Sequence, residues 1–332
     1  MDEFELIARY FAPLAAAEPG ALGLTDDAAV LPLPAGRELV VTADMLVAGV
    51  HFRTDDPAES LGVKALAVNL SDLAAMGADP RAYVLALALP AGWPQAQQQD
   101  WLAGFTRGLA EMQRTFAIPL AGGDTVATPG PLALSITAFG TAPPAGPMRR
   151  SGARPGDVVW VSGTIGDGAL GLQVLDGRLQ LDEAVLADAL SARYRRPQPR
   201  LALGRRLAGL AHACADVSDG LVADLAHICR ASAVTATIEA ARIPLSAAAR
   251  VAVSRQPALM AAVLGGGDDY ELVFTAAEGD SPTIERCAAD AGTSVRAIGQ
   301  IAKRFEAGAP PVRVVAADGT EVDITHAGWS HF

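Results

Sequence analysis

The chain has 332 residues, of which 51% are hydrophobic and 19% are charged, and its formal net charge at pH 7 is −11. This acidic balance argues against a nucleic-acid-binding protein, which usually presents a basic face. No uninterrupted apolar stretch approaches the roughly 20 residues that cross a bilayer, so we expect no association with a membrane.

In chain order, the predicted elements alternate between strands and helices. Residues 1–5 are acidic and lack the positive region that opens a signal peptide. Helices are predicted at 56–76, which opens with the helix-start pattern Asp-Pro-x-Glu, and at 95–116. Segments with the alternation of strands lie at 38–47, 82–89, 132–140, 157–161, 271–275 and 295–299.

A stretch rich in Pro and Gly at 142–147 predicts a domain junction, and a fresh strand begins after 152–157. The chain length also favours about two domains. The sequence therefore predicts an α/β (α+β) protein with an N-terminal domain at 1–148 and a C-terminal α/β domain at 149–332.

The cysteine pattern bears on the compartment of the protein. Cys214, Cys229 and Cys287 have no CxxC spacing and form an odd set. This argues against a disulfide framework and against a zinc site. Together with the acidic N-terminus, it predicts a protein of the reducing cytoplasm.

Short acidic motifs beside small residues recur along the chain. A carboxylate among Ala, Val and Gly is costly to bury unless it is paired or binds a metal, and Lys64 and Lys303 are the only lysines. Oxygen-only ligands suit Mg²⁺, which commonly joins carboxylates to phosphates, so the motifs predict phosphoryl transfer. The motifs are Thr25-Asp26-Asp27, Thr42-Ala43-Asp44, Asn69-Leu70-Ser71-Asp72, Gly122-Gly123-Asp124-Thr125, Asp216-Val217-Ser218-Asp219-Gly220 and Gly266-Gly267-Asp268-Asp269-Tyr270-Glu271.

The predicted elements suggest where these carboxylates lie. Asn69 and Asp72 are three residues apart, so they share one face of the predicted helix. Asp44 and Asp124 are expected at strand ends, where ligand sites of α/β proteins commonly form. Asp219 has an alternative interpretation as the N-cap of a helix that begins at residue 220.

Several other motifs limit the choice of function. The chain contains no GxxxxGK[ST] sequence and no HRD or DFG set, which excludes a P-loop kinase and a protein kinase. The glycines at 163–168 do not have the GxGxxG spacing of a dinucleotide loop. His51 follows a strand and is either a structural hydrogen bonder or a functional residue. Trp329 near the end of the chain predicts that this segment docks onto the protein.

In this order and spacing, the motifs resemble those of the thiamine-monophosphate kinase family, from about residue 4 to the last residue. The resemblance implies a two-domain aminoimidazole ribonucleotide synthetase-like fold and a homodimer whose N-terminal domains form a β-barrel-like interface. It also implies transfer of the ATP γ-phosphate to thiamine monophosphate with several Mg²⁺ ions. The matching segments are 26–28, 44–52, 64–78, 122–125, 216–221, 267–272 and 328–332.

Residue by residue, the resemblance implies the following roles. The Mg²⁺ ligands are Asp27, Thr42, Ala43, Asp44, Asp72, Asp124, Asp216 and Asp219. The catalytic set is Asp44, Asp72, Asp124 and Asp219. The ATP-contacting set is Gly123, Asp124, Arg150 and Ser218. The residues that meet thiamine monophosphate are His51, Asp268 and Trp329.

Three positions depart from the pattern of the family. Thr25 replaces a glycine, Ala43 replaces a frequent threonine, and Asp268 stands where glutamate is usual.

Within the superfamily, a hydrogenase-maturation protein would end in a reactive cysteine and a selenophosphate synthetase would carry an N-terminal cysteine or selenocysteine. A non-catalytic nucleotide-binding regulator of the same fold is the alternative from a different class.

Overall fold

The computed structural model describes residues 3–25, 28–304, 310–322 and 328–329. The chain divides into two compact units. The N-terminal unit consists of Met1–Leu73 and Ala78–Pro144, and the C-terminal unit consists of Ala74–Gly77 and Ala145–Phe332. Among the described helices, none has both the length and the apolar character that crossing a bilayer requires.

The described part of the N-terminal unit contains a four-stranded sheet in the order β1-β4-β2-β3. β1 pairs antiparallel with β4, β4 pairs antiparallel with β2, and β2 runs parallel to β3. The strands are β1 (Leu39–Val47), β2 (Asp79–Pro90), β3 (Leu120–Thr128) and β4 (Ala133–Thr141). The helices are α1 (Glu3–Leu6), α2 (Ala12–Ala15), α3 (Ala58–Ala75) and α4 (Gln95–Phe116), with a π-helical turn at Ile7–Phe11 and a 3-10 segment at Pro19–Leu24.

Helices α3 and α4 cross in this unit with a glycine of each helix at the point of contact. A Cβ atom added at Gly62 of α3 would lie 2.1 Å from the carbonyl oxygen of Phe105, and one at Gly108 of α4 would lie 2.0 Å from that of Glu59. The backbones of α3 and α4 are therefore in direct contact at this crossing. Leu66 and Leu109 are fully buried beside it.

The sheet of the N-terminal unit has one covered face and one exposed face. Side chains alternate along β1, so that Val40 and Leu46 are buried while Val41 and Met45 point to the opposite face. The exposed fractions are 52% for Val41 and 59% for Met45, and Leu39 and Val126 are similarly exposed. We call these four residues the outer apolar face.

The described part of the C-terminal unit contains a six-stranded sheet in the order β10-β7-β9-β5-β8-β6. Its strands are β5 (Val158–Ser162), β6 (Ala213–Asp216), β7 (Val234–Glu239), β8 (Leu272–Ala276), β9 (Val295–Arg304) and β10 (Val312–Val315). Its helices are α5 (Asp167–Leu175), α6 (Ala184–Arg195), α7 (Leu201–Leu207), α8 (Leu221–Ser232), α9 (Ala247–Arg255), α10 (Leu259–Gly265) and α11 (Ser281–Asp290), with 3-10 turns at Ala240–Arg242 and Glu278–Asp280. The core includes the buried side chains of Val161, Leu225 and Val263.

The structure confirms the α/β class and all the predicted strands and helices, with bounds shifted by a few residues at most positions. Within one chain both described sheets are open rather than closed into a barrel. Strand β3 was not predicted, because Gly-Gly-Asp-Thr has the composition of a turn and only the pairing with β2 makes it a strand. The prediction that Asp44 and Asp124 lie at strand ends is wrong, because both lie inside strands. The functional division at residues 148 and 149 stays a prediction.

Candidate active site

Strand β1 and helix α3 bring two of the predicted metal ligands together. The Thr42 hydroxyl donates a hydrogen bond to Oδ2 of Asp72 at 2.5 Å. Asp44 lies two residues after Thr42 on the same strand, so its side chain is on the same face. Ala43 lies between them and is exposed on the opposite face. The side chains of Thr42 and Asp44 thus lie on the face of β1 where Thr42 meets Asp72, and the methyl group of Ala43 lies on the other face.

Helix α3 also carries buried polar atoms beside Asp72. The Asn69 amide donates to the Ala65 carbonyl oxygen at 3.1 Å, and the residue is fully buried. Oδ1 of Asn69 and the hydroxyl of Ser71 have no hydrogen-bond partner among the described residues. Asn69 and Asp72 both lie on α3, where a spacing of three residues puts them on one face as predicted, and Asn69 is the more deeply buried of the two.

Asp44 and Asp124 are separated within one chain. Asp44 is aligned across the sheet with Ile136, Leu85 and Gly123, whereas Asp124 is aligned with Ala86, Ser135 and Met45. The two carboxylates therefore point to opposite faces and belong to the two outer strands of the sheet. Three strand spacings of about 4.8 Å place these strands about 14 Å apart. The sheet of one chain does not bring them to the same ion.

The edge strand β3 lines a cavity of about 330 Å³ within the N-terminal unit. Gly123 and Asp124, both predicted to contact ATP, line it together with Phe11, Leu24 and Ala28. Asp27 lies outside the described residues, directly before Ala28.

His51 lies in the turn after β1. The backbone N–H of Val47 donates to Nδ1 of His51 at 3.1 Å. This bond occupies Nδ1 as an acceptor, so the neutral ring carries its proton on Nε2. His51 can thus donate a hydrogen bond through Nε2.

In the C-terminal unit, Asp216 is the last residue of β6, and the loop that follows carries Ser218 and Asp219. The backbone N–H groups of Ser218, Asp219 and Gly220 all donate to Oδ2 of Asp224, each at 3.1 Å. Asp224 lies in the first turn of α8 and folds back over the start of the helix. The N-cap position is Gly220, so the alternative interpretation of Asp219 as an N-cap is wrong.

Asp224 was missed by the sequence reasoning, because a single acidic residue in an apolar helical run has no distinctive spacing. Burial raises its pKa to about 7, and the negative charge of Asp219 adds to this, while the N–H groups of Gly220 and Asp219 oppose it. Ligand atoms of Asp219, Asp224 and His227 lie within 4.8 Å of one another, a spacing that would suit a metal ion.

Arg150 and Trp329 approach the same loop and the start of α8. The positive charge of Arg150 opposes the rise in the pKa of Asp224, and it contributes to the lowered pKa of His227. The backbone N–H of Trp329 donates to the Asp219 carbonyl oxygen at 3.0 Å. The indole is 57% exposed and lines a cavity of about 540 Å³ beside α8. The predicted docking of this segment is confirmed for Trp329.

A second loop, residues 266–271, is joined to the first by backbone hydrogen bonds. The N–H of Asp268 donates to the Ser218 carbonyl oxygen at 2.9 Å, and that of Tyr270 donates to the Val217 carbonyl oxygen at 2.8 Å. In return, the N–H of Val217 donates to the Glu271 carbonyl oxygen at 2.8 Å. These bonds fix the predicted substrate residue Asp268 beside the predicted ATP residue Ser218.

The second loop has an unusual backbone. Asp268 has a φ of 70° and Tyr270 a φ of 52°, and both lie in the left-handed region. For a residue with a side chain this conformation costs roughly 1–2 kcal/mol, so surrounding contacts must hold it. The Tyr270 hydroxyl donates to Oδ1 of Asp268 at 3.2 Å.

Two buried carboxylates anchor this loop, and sequence reasoning assigned no role to either of them. Asp269 accepts from the N–H groups of Gly166 at 2.6 Å and Gly168 at 3.0 Å. Burial raises the pKa of Asp269 to about 8, and these two N–H groups oppose the shift. Glu271 accepts from the Ser162 hydroxyl at 2.6 Å.

Two arginines complete the surroundings of Glu271. Arg193 donates to Oε1 of Glu271 at 3.0 Å, and Arg200 donates to both carboxylate oxygens. Glu271 is fully buried, so these donors compensate the cost of burying its charge. The run Asp-Asp-Tyr-Glu at 268–271 was the available sequence signal, because adjacent acidic residues rarely enter a core without such partners.

Comparisons with known proteins identify the family of the two domains. Residues 25–142 match the N-terminal domain of AIR synthase related proteins, and residues 154–309 match the C-terminal domain. The chain is 42% identical over 333 residues to the thiamine-monophosphate kinase of Caulobacter vibrioides, covering 99% of this chain and 90% of that relative.

Solved structures give the same result. The thiamine-monophosphate kinase of Stenotrophomonas maltophilia K279a has a TM-score of 0.83 and 42% identity, covering 97% of this chain and 98% of that one. AaThiL complexed with AMPPCP and TMP has a TM-score of 0.76 and 29% identity, and the match covers 92% of this chain and 91% of that one. The chain therefore belongs to the thiamine-monophosphate kinase family.

Proposed function

We propose that this protein transfers the γ-phosphate of ATP to thiamine monophosphate and releases thiamine diphosphate and ADP. The hydrogen bond between Asp268 and Ser218 is the observation that carries this function, because it holds the predicted residues for the two substrates on adjoining loops. The relative AaThiL binds AMPPCP, an ATP analogue, together with TMP. ATP is thus the co-substrate, and thiamine monophosphate is the acceptor.

The residues present fit Mg²⁺ ions. The polar atoms of the Thr42, Asp44 and Asp72 side chains, which could bind a metal, are all oxygens. The same is true of the side chains of Asp216 and Asp219. Such ligands suit hard cations. Bound Mg²⁺ would neutralise the charge that phosphoryl transfer spreads over the phosphate oxygens.

The protein's own residues would orient the two phosphates for direct, in-line transfer. Arg150 supplies a positively charged donor near the predicted ATP residues, and Nε2 of His51 supplies a donor for the acceptor. The acceptor is already a phosphate oxygen, so no strong general base is needed. Burial raises the pKa of the Cys214 thiol and that of Cys229, the latter to about 12, so neither is a thiolate nucleophile at neutral pH.

We also propose a homodimer formed through the outer apolar face. Leu39, Val41, Met45 and Val126 would be buried by a second copy, and exposed apolar patches of this kind commonly mark interfaces. A dimer would also provide a second copy of Asp124, which the sheet of one chain holds away from Asp44. We further propose that the reaction takes place in the cytoplasm, consistent with the free thiols of all three cysteines.

A coupled assay of ADP release tests the proposed function. The purified protein is given ATP and Mg²⁺ with thiamine monophosphate, thiamine or an aminoimidazole precursor in separate reactions. We expect ADP release only with thiamine monophosphate, together with formation of thiamine diphosphate. Binding of ATP without turnover of any acceptor would instead favour the non-catalytic regulator.

A further inference from the structure

We propose that Asp269 is a positioning residue, which sets the place of the Asp268 carboxylate and thereby the affinity for thiamine monophosphate. The proposal rests on the proposed function, in which Asp268 meets this substrate. Asp269 itself is buried, with 1% of its surface exposed, and it acts through its neighbour.

The backbone is unusual on both sides of Asp269. The φ angles of Asp268 and Tyr270 both lie in the left-handed region. Residues with side chains keep this conformation only where neighbouring contacts hold it. Asp269 lies between them and supplies such a contact.

The side chain of Asp269 is attached to the start of helix α5. Its two carboxylate oxygens accept from the N–H groups of Gly166 and Gly168, which begin helix α5. A Cβ atom added at Gly168 would lie 2.4 Å from the carbonyl oxygen of Asp268, so the first turn of α5 packs directly against the backbone of that residue. The Asp269 carboxylate thus fixes the loop to a rigid helix end.

Asp268 is also held by two hydrogen bonds on the other side of the loop. The Asp268 N–H donates to the Ser218 carbonyl oxygen, and Oδ1 of Asp268 accepts from the Tyr270 hydroxyl. Aspartate has a single methylene group between its backbone and its carboxylate. So short a side chain cannot compensate for a displaced backbone, and its reach therefore depends on the position that Asp269 imposes.

The main test compares Asp269→Asn with a matched control, Asp167→Asn. An amide at 269 keeps the shape, but its nitrogen cannot accept from a backbone N–H as each oxygen of the carboxyl group does. Asp167 is an equally buried carboxylate, and it lies between Gly166 and Gly168 at the start of α5. It accepts from the hydroxyls of Thr164 and Ser246. The two variants therefore disturb the same helix end through different partners.

The readout is the separate effect on each substrate. We expect Asp269→Asn to raise the KM for thiamine monophosphate about tenfold, with the KM for ATP changed less than about twofold. We expect Asp167→Asn to change both constants less than about twofold, whatever its effect on the melting temperature. Equal changes of both KM values in Asp269→Asn would overturn the proposal.

A double-mutant cycle tests whether Asp269 acts through Asp268. In an Asp268→Asn background, adding Asp269→Asn should raise the KM for thiamine monophosphate by less than about twofold more, because the positioned carboxylate is already gone. Independent, multiplicative effects would contradict the idea.

Tyr270→Phe provides a variant that leaves the attachment to α5 intact. It removes the hydroxyl that binds Asp268, and we expect the KM for thiamine monophosphate to rise about threefold with little change for ATP. Suppose that the wild-type protein turns over thiamine monophosphate normally. The proposal would then be overturned if the KM for thiamine monophosphate were unchanged both in Tyr270→Phe and in an Asp269→Asn protein that folds. A wild-type protein that neither binds nor phosphorylates thiamine monophosphate would instead overturn the proposed function itself, and this inference with it.

Discussion

The hydroxyl of Thr42 donates to Oδ2 of Asp72 at 2.5 Å, which joins the middle of strand β1 to the buried helix α3. Two oxygen ligands predicted for the same kind of ion therefore lie within one hydrogen bond of each other.

Asp72→Asn should abolish turnover while leaving the fold intact. The change keeps the size of the side chain and a hydrogen-bonding group for Thr42, but it removes the negative charge that would hold Mg²⁺ at the phosphates. The measurement is ADP release at saturating Mg²⁺, with circular dichroism as the check on folding. Ser71→Ala on the same helix is the control, because the Ser71 hydroxyl has no partner among the described residues. Activity close to normal in Asp72→Asn would remove Asp72 from the ligand set.

Ala43→Thr should change the dependence of activity on Mg²⁺ by less than about threefold, or roughly 0.7 kcal/mol. The side chain at 43 points to the face opposite Thr42 and Asp44, so any contact with their ion would use the main-chain carbonyl oxygen, an ordinary ligand for hard cations. The measurement is a Mg²⁺ titration of the reaction rate for both proteins. A gain of tenfold or more in apparent Mg²⁺ affinity would show that the hydroxyl of the family's threonine is itself a ligand.

Incubation with γ-labelled ATP alone should leave the protein unlabelled. Direct transfer needs no covalent intermediate, and burial keeps the thiols of Cys214 and Cys229 protonated. The measurement is radioactivity in the precipitated protein before and after thiamine monophosphate is added. Stoichiometric label that moves into thiamine diphosphate would establish a phosphoenzyme.

Met45→Glu should dissociate the proposed dimer. The substitution places a charge in the outer apolar face, where a second copy would bury it without a partner. Light scattering coupled to size exclusion should show a monomer, with activity reduced at least about tenfold if a second copy of Asp124 is needed. Val185→Glu is the matched control, because Val185 is 70% exposed on α6 of the other unit. A dimer that survives Met45→Glu unchanged would place the interface elsewhere.

The stability of wild-type protein should fall more steeply with rising pH than that of Asp269→Asn. The pKa of Asp269 is raised from 3.8 to about 8, so between these values the folded state keeps a proton that the unfolded state releases. The free energy of unfolding then decreases with pH by at most about 1.4 kcal/mol per unit, and this loss ends above the folded pKa.

Urea unfolding of both proteins between about pH 5 and about pH 8 measures this difference. Other titrating groups, including Asp224, are common to the two proteins and cancel in the comparison. Parallel curves would mean that the Asp269 carboxyl is not held protonated in the folded state.

Sequence patterns were sufficient for the elements with regular periodicity and insufficient for the contacts between loops. Helix α4 has the predicted bounds, since its apolar positions repeat with the helical period. The separation of Asp44 from Asp124 depends on the strand order, which no local pattern encodes. The roles of Asp224 and Asp269 depend on backbone N–H groups several to a hundred residues away, and only the folded chain brings these groups together.

The crossing of α3 and α4 makes the geometry of the metal ligands sensitive to changes far from any ligand. Gly62 and Gly108 let the two backbones touch, and α3 continues from this point to Asp72. A methyl group at either glycine would force the helices apart, and α3 would carry its carboxylate away from Thr42. Natural variants with alanine at Gly108 should therefore be inactive enzymes with every predicted ligand in place, and they would escape any survey that inspects the acidic motifs alone.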